Sequence, residues 1–138
     1  MPDPKVNLVD SDNQSLKDYF VEKDGLLFAG FHLLIEFWEA EGLNDVPLIE
    51  AALRRASEMA EATILSIHTH GFSVSGVTGI AALAESHISI HTWPERGYAA
   101  IDIFMCGNCH PYAAIGPLKD ALKPGRVLLT EHRRGIIP

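Results

Sequence analysis

The chain has 138 residues, enough for one domain with a hydrophobic core and too few for two domains of ordinary size. Its 18 acidic and 11 basic side chains give a formal net charge of −7, which disfavours a nucleic-acid-binding surface. No stretch reaches the roughly 18 apolar residues that a membrane span needs, and no basic start with an apolar run indicates a secretory signal. The two cysteines, Cys106 and Cys109, are therefore expected as thiols in a reducing cytoplasm.

The first half of the chain contains a polar, an apolar and an amphipathic segment. Residues 1–25 are polar and predict a flexible tail ahead of a single domain over residues 26–138. The apolar and aromatic run over residues 26–38 predicts a buried strand. Asp45 can cap a helix, and Pro47 is tolerated in its first turn. One apolar face then recurs at spacings of three and four residues and consists of Ile49, Ala52, Leu53, Ala56, Met59 and Ala60.

Short apolar segments separated by turn residues dominate the second half of the chain. Strands are predicted over residues 63–72, 79–84, 87–92, 98–106 and 126–132, and a second helix over residues 111–122. Together with the first strand and helix, they predict an α+β fold. We expect a two-layer α/β sandwich, in which a mostly antiparallel sheet carries its helices on one face.

A glutamate-serine pair, Glu85-Ser86, lies between two of the predicted strands. A serine hydroxyl can attack the carbonyl of the preceding residue where the backbone is strained and the developing oxyanion is held. The amide then becomes an ester, a base removes the Cα proton of Ser86, and the Glu85 carboxylate leaves. Loss of ammonia finally leaves a pyruvoyl group at the new N-terminus.

His91 is the candidate base for this chemistry, because imidazole titrates near neutral pH. Ser86 and His91 lie five positions apart, so on a regular strand they face opposite sides of the sheet. A turn or bulge at Ser86 is therefore needed to bring them together. By itself the spacing favours an exposed serine and a hydrogen-bonded structural histidine over a catalytic pair.

Longer segments of the chain resemble the prokaryotic S-adenosylmethionine decarboxylases, a family of pyruvoyl enzymes. From Gly30 to the C-terminus the segments follow the order of that family. They are Gly30-Phe31-His32-Leu33, His70-Gly71-Phe72, Glu85-Ser86-His87, His91-Thr92-Trp93-Pro94-Glu95, Gly97-Tyr98-Ala99-Ala100, Cys106-Gly107 and Glu131-His132-Arg133-Arg134-Gly135. The resemblance implies the two-layer sandwich, a homodimer of processed protomers and active sites near the dimer interface.

The resemblance also implies catalytic roles. Cleavage between Glu85 and Ser86 would convert Ser86 into a covalent pyruvoyl group, whose carbonyl forms a Schiff base with the substrate amine and acts as an electron sink. His91 would serve the processing reaction, supported by the Thr78 hydroxyl. Cys106 would protonate the carbon that carbon dioxide leaves. No metal and no pyridoxal phosphate are expected.

Three residues would bind S-adenosylmethionine. Phe72 and the ring of His91 would stack on the adenine, and Glu95 would accept hydrogen bonds from the ribose hydroxyls. The product would be the aminopropyl donor for spermidine synthesis. The chain departs from the family at Thr78, where serine is common, and at Phe31, where arginine often precedes the histidine. A pyruvoyl decarboxylase acting on another amine-bearing acid, such as ornithine or arginine, therefore stays open.

Three alternatives compete with this interpretation. Cys106-Gly107-Asn108-Cys109-His110 fits the C-x-x-C-H pattern of covalent haem attachment, and its thiols fit a redox motif. Six histidines could join the cysteines as metal ligands, namely His68, His70, His87, His91, His110 and His132. A non-catalytic relative that binds nucleosides or partners would remain an intact chain.

Overall fold

The computed structural model describes residues 6–8 and 16–137. Within them the chain forms nine strands and two helices. The elements are β1 (Val6–Leu8), β2 (Leu16–Lys23), β3 (Leu26–Phe28), β4 (Gly30–Trp38), α1 (Val46–Met59), β5 (Ile64–Gly71), β6 (Val77–Leu83), β7 (Ser86–Trp93), β8 (Tyr98–Cys106), α2 (Ile115–Leu122) and β9 (Arg126–Arg134). Neither helix is long and apolar enough to cross a membrane.

Six strands form the main sheet, in the order β5-β6-β7-β8-β4-β9. Every neighbouring pair in this sheet is antiparallel. Strands β5 to β8 follow one another along the chain as hairpins, and β4 and β9 complete the sheet beside β8. A smaller sheet is formed by β1, β2 and β3. The predicted α+β sandwich is confirmed.

Helix α1 covers one face of the main sheet. The Asp45 carboxylate accepts a hydrogen bond from the Leu48 amide at 3.1 Å and caps the helix, and such a cap contributes about 1 kcal/mol. The predicted apolar face is buried at Ile49, Leu53 and Ala56, although Met59 is exposed. This face packs with the inward residues of the strands, which include Leu33, Ile35, Phe37, Ile88, Ile90, Ile101 and Ile103.

No helix of residues 6–8 and 16–137 covers the opposite face of the main sheet, which we call the open face. Because paired residues of antiparallel strands point the same way, the register defines its side chains. One row runs Ser66, Ala82, His87, Phe104, His32 and His132 across the six strands. Two parallel rows contain His68 and Asp102, and His70 and His91. The open face therefore gathers six of the seven histidines.

The predicted flexible tail over residues 1–25 contains two strands of the small sheet, β1 at Val6–Leu8 and β2 at Leu16–Lys23. Strand β2 was not predicted, because the composition of this segment is polar. It pairs with β3, and Val21 and Phe28 are buried there. The Arg133 guanidinium binds Asp24 at 2.9 Å and lies 5.3 Å from the centre of the Phe28 ring, linking the small sheet to β9. Residues 1–5 and 9–15 of the predicted tail lie outside the described residues.

Two predicted elements, the first strand and the second helix, differ most from the observed ones. Residues 26–38 form two strands, because β3 pairs in the small sheet and β4 in the main sheet. Gly30 begins β4 where a Cβ atom would lie 2.2 Å from the Met105 carbonyl oxygen, so this crossing requires glycine. The predicted second helix starts at Ile115, after a 3₁₀ turn at Pro111–Ala114.

Candidate active site

Strands β6 and β7 are joined by a turn of two residues, Ala84 and Glu85, because Leu83 pairs directly with Ser86. We call residues 83–86 the Glu85 turn. Ser86 has φ of 142°, a conformation that side chains with a Cβ rarely adopt. Such strain costs of the order of 1–3 kcal/mol and persists only where the surrounding structure holds it. The Glu85 turn thus has the strained backbone that the sequence-based mechanism requires.

The Glu85 carbonyl oxygen accepts two hydrogen bonds from one residue of β8. The Cys106 amide donates at 3.1 Å and the Cys106 thiol at 3.2 Å. Two donors on one carbonyl stabilise the negative charge that forms there when a nucleophile attacks. The geometry therefore brings Glu85, Ser86 and Cys106 together, and it gives Cys106 a contact with the Glu85–Ser86 peptide bond that the sequence analysis missed.

The Glu85 carboxylate is bound on the other side of the turn by Thr63, just before β5. The Thr63 amide donates to Oε1 at 2.9 Å, and its hydroxyl donates to Oε2 at 3.0 Å. Thr63 was not singled out from the sequence, because nothing in its local pattern indicates a contact 22 residues away. The contact arises from the strand order, because β5 and β6 are neighbours, so the start of β5 lies beside the end of β6.

A groove of about 270 Å³ lies at the opposite end of β7. We call it the Phe72 groove, and its lining includes Phe72, Ser75, Thr78, His91, Trp93 and Glu95. The three predicted substrate-binding residues, Phe72, His91 and Glu95, therefore lie together here, beside Thr78, which was predicted to support processing. Thr78 Oγ1 lies 3.2 Å from His91 Nδ1, and the Ser75 hydroxyl donates to Glu95 at 3.2 Å. Ser75 is a groove residue that sequence reasoning missed.

The loop that carries Phe72 is anchored by buried and half-buried hydrogen bonds. The Thr92 hydroxyl accepts from the Val77 amide at 2.8 Å and donates to the Leu43 carbonyl at 2.7 Å. The Gly76 amide donates to Asn44 at 2.8 Å. Beyond this anchor the Phe72 ring is 52% exposed and stands edge to face against His70, with ring centres 4.7 Å apart. The ring is therefore available to a ligand.

The Glu85 turn and the Phe72 groove are far apart within one chain. The pairing of β7 with β6 is regular from Ser86 to His91, so no bulge shortens the strand. Five residues of strand span roughly 16 Å. The bulge that would bring His91 to Ser86 is absent from β7, and the two residues are separated in one protomer.

A polar cluster on the open face lies between these two ends. Asp102 accepts hydrogen bonds from His32 at 2.6 Å, from His87 at 2.9 Å and from the Ser89 hydroxyl. We call these four residues the Asp102 cluster. Burial alone would raise the pKa of Asp102, but the three hydrogen bonds outweigh burial and hold its pKa below the ordinary value.

The Asp102 cluster bears on the metal alternative, because His32, His87 and Asp102 offer three ligand atoms within 4.8 Å of one another. Arg134 donates to His32 Nδ1 at 3.1 Å. The neutral ring then carries its hydrogen on Nε2 and donates it to Asp102. If Nε2 of His32 bound a metal, the hydrogen of the neutral ring would lie on Nδ1. That hydrogen would then face the Arg134 donor, and the hydrogen bond from Arg134 would be lost. The hydrogen-bonded arrangement therefore competes with metal ligation.

The C-x-x-C-H segment separates its two thiols. The Cys106 thiol donates to the Glu85 carbonyl, whereas the Cys109 thiol lies 3.8 Å from the Glu61 carbonyl oxygen. His110 Nε2 lies 3.3 Å from the Glu61 carboxylate, and both of these side chains are well exposed. The segment thus ties the end of β8 to two different parts of the chain.

Comparisons with known proteins give consistent matches. The family model described as S-adenosylmethionine decarboxylase matches residues 31–135. The S-adenosylmethionine decarboxylase proenzyme of Methanococcus vannielii is 47% identical over 111 residues, which cover 78% of this chain and 91% of that protein. The proenzyme of Thermotoga petrophila is 48% identical over 109 residues, covering 77% and 84%. The crystal structure of the adenosylmethionine decarboxylase from Aquifex aeolicus has a TM-score of 0.73 at 36% identity, covering 80% of this chain and 94% of that one.

Proposed function

This chain belongs to the S-adenosylmethionine decarboxylase family, and we propose that it becomes active by cutting its own backbone between Glu85 and Ser86. The single observation that carries this proposal is the Glu85 carbonyl, which accepts two hydrogen bonds from Cys106 beside the strained backbone of Ser86. The word proenzyme in the names of the relatives is consistent with such a step.

The proposed cleavage uses groups that the Glu85 turn already holds. Ser86 Oγ attacks the Glu85 carbonyl carbon, the bond to the Ser86 nitrogen breaks, and an ester replaces the amide. The Cys106 amide and thiol stabilise the oxyanion of this step. Removal of the Ser86 Cα proton then expels the Glu85 carboxylate. Uptake of one water and loss of one ammonia leave a pyruvoyl group at the start of residues 86–138.

The base for this elimination is proposed to be His91 of a second copy, supported by Thr78. Within one chain His91 is roughly 16 Å along β7 from Ser86, too far for proton transfer. A two-fold dimer can place the Phe72 groove of one protomer beside the Glu85 turn of its partner. The separation of the two groups on a regular strand supports the homodimer that the family resemblance implies.

The open face is the proposed dimer surface. It exposes apolar side chains that a lone protomer leaves in water, namely Leu34, Ile80, Trp93 and Leu128, which are between 38% and 51% exposed. Leu34, Ile80 and Leu128 belong to the central and outer strands of one sheet face, so they form a surface rather than isolated positions. Burying this surface between two copies would also shield the Asp102 cluster from water.

The substrate of the processed enzyme is S-adenosylmethionine, and its carboxyl group is removed as carbon dioxide. The pyruvoyl group supplies the electron sink for this loss. The Cys106 thiol lies beside the Glu85–Ser86 bond, so after cleavage it is placed to give a proton to the carbon that carbon dioxide leaves. Stabilising the oxyanion and donating this proton both require a reduced Cys106 thiol, which fits the reducing cytoplasm expected from the sequence.

The Phe72 groove is the proposed site for the nucleoside. The exposed Phe72 ring offers a face to the adenine and to the sulfonium charge. The Glu95 carboxylate can accept hydrogen bonds from the two ribose hydroxyls, and Ser75 orients it. The product would serve as the aminopropyl donor for spermidine synthesis.

The mass of the denatured, freshly purified protein tests this proposal. We expect two pieces divided between Glu85 and Ser86, with the C-terminal piece lighter by one ammonia than simple hydrolysis would give. Carbon dioxide release should follow with S-adenosylmethionine and stay at background with ornithine and arginine. A single intact chain without activity would contradict the proposal and favour a non-catalytic binding protein. An intact chain heavier by one haem would favour the C-x-x-C-H alternative.

A further inference from the structure

Thr63 makes three hydrogen bonds to the Glu85 turn although it lies 22 residues away in sequence. Its amide and hydroxyl bind the two oxygens of the Glu85 carboxylate at 2.9 and 3.0 Å. Its carbonyl oxygen accepts from the Ala84 amide at 2.9 Å. Both residues of the two-residue turn are therefore fastened to the residue that precedes β5.

The opposite side of the turn is fastened to β8. The Glu85 carbonyl accepts from Cys106, so Glu85 is held through its side chain by Thr63 and through its backbone by Cys106. This double attachment fixes the orientation of the Glu85–Ser86 peptide. A strained residue next to a two-residue turn relaxes unless both sides are held, and Ser86 keeps φ at 142°.

We propose that Thr63 is a positioning residue for self-cleavage, which it promotes by holding the Glu85 carboxylate so that the scissile carbonyl stays on the Cys106 donors. This inference rests on the proposed function. Thr63 contacts neither the attacking hydroxyl nor the scissile carbon, and it acts through the geometry of Glu85. Hydrogen bonds to a carboxylate are the stronger kind, which suits the task of holding strain.

The rate of cleavage of newly made chains tests this proposal. Thr63→Val keeps the shape and the backbone amide of Thr63 but removes its hydroxyl, whereas Thr63→Ser retains the hydroxyl. Chains made by cell-free translation are followed by the fraction that remains intact with time. We expect Thr63→Val to cleave roughly tenfold more slowly than the wild type, and Thr63→Ser to cleave at close to the wild-type rate.

Thr69→Val is the matched control. Thr69 lies on β5, the strand that follows Thr63, and donates from its hydroxyl to a glutamate, Glu50, at 3.4 Å, but that contact is away from the Glu85 turn. We expect its cleavage rate to match the wild type. Once cleaved, Thr63→Val should turn over substrate at the wild-type kcat per cleaved chain, because the hydroxyl does not touch the substrate.

Four outcomes would overturn the proposal. They are cleavage of Thr63→Val at the wild-type rate, equal slowing by Thr63→Ser, equal slowing by Thr69→Val, and a matching loss of kcat per cleaved chain. If Thr63→Val does not fold, Glu85→Gln replaces it, since an amide nitrogen facing the Thr63 donors should slow cleavage similarly. Absence of cleavage in the wild-type chain would instead refute the proposed function and this inference with it.

Discussion

At the Ser86 end of β7 the geometry is set largely by the backbone, whereas at the His91 end it is set by pairs of side chains. The Glu85 turn is defined by its length, by the φ of Ser86 and by the Cys106 amide on the Glu85 carbonyl. The Phe72 groove is defined by side-chain pairs such as Thr78–His91 and Ser75–Glu95. Substitutions at the Glu85 turn should therefore cause severe losses of activity, whereas substitutions in the Phe72 groove should reduce it in steps.

The largest expected effect is at Ser86. Ser86→Ala removes the attacking hydroxyl, so the chain should remain intact and carbon dioxide release should fall to background. The fold should survive, since alanine has no larger steric demand at this position. Intact mass and a decarboxylation assay check both results.

Ser66→Ala serves as the control for this change, because Ser66 is exposed on β5 and away from both ends of β7. It should cleave and turn over like the wild type. Decarboxylation by the Ser86→Ala variant above background would mean that the chemistry does not depend on the Glu85 turn.

A mixed dimer tests whether the two ends act across a protomer boundary. One chain carries Ser86→Ala, and the other carries Phe72→Ala with Glu95→Ala; each alone is expected to be nearly inactive. When the two are co-expressed in equal amounts, about half of the dimers are mixed, and each mixed dimer has one complete site of two. The activity should therefore recover to about a quarter of the wild type.

No recovery in the mixed sample would mean that both ends serve the same chain, and β7 would then have to bend in the active enzyme. The same sample should be checked for mixed dimers by native mass. The homodimer of the Phe72→Ala, Glu95→Ala variant should still be cleaved, since neither substituted residue belongs to the Glu85 turn.

The groove end alone is tested by Phe72→Ala. Loss of one stacking contact with a base costs about 1–3 kcal/mol, so the KM for S-adenosylmethionine should rise by roughly 5- to 150-fold. Cleavage should be unaffected, because the ring lies at the other end of β7. Val74→Ala, in the same loop and 94% exposed, should leave the KM unchanged. A normal KM for Phe72→Ala would remove the ring from substrate binding.

Regular periodicity allowed the sequence to predict α1 with its Asp45 cap, and β8 with the same bounds that the structure has. The sequence also placed Glu85 and Ser86 at one site, because they are neighbours in the chain. The Thr63 contact and β2 were missed, because each depends on a pairing partner rather than on a local pattern. The sequence predicted a strand over residues 87–92, but whether a bulge interrupts it near Ser86 depends on the register with β6, which no local pattern gives.

The smallest effect on chemistry is expected in the Asp102 cluster, between the two ends. Because the pKa of Asp102 is lowered in the folded state, its ionised form stabilises the fold. This contribution is full above about pH 4 and is lost as the pH falls through the lowered pKa. Asp102→Asn should therefore reduce the free energy of unfolding by about 1–3 kcal/mol at neutral pH, and by less in acid.

Urea unfolding at equal protein concentration, at pH 7 and near pH 3, measures this difference. Asp120→Asn, at an exposed position of α2, is the control and should change stability little at either pH. The Asp102→Asn chain should still be cleaved, and its kcat per cleaved chain should stay close to the wild type, because the hydrogen bonds of Asp102 go to His32, His87 and Ser89 and not to the Glu85 turn or the Phe72 groove. A large loss of cleavage with unchanged stability would show instead that the two ends communicate through the middle of the strand.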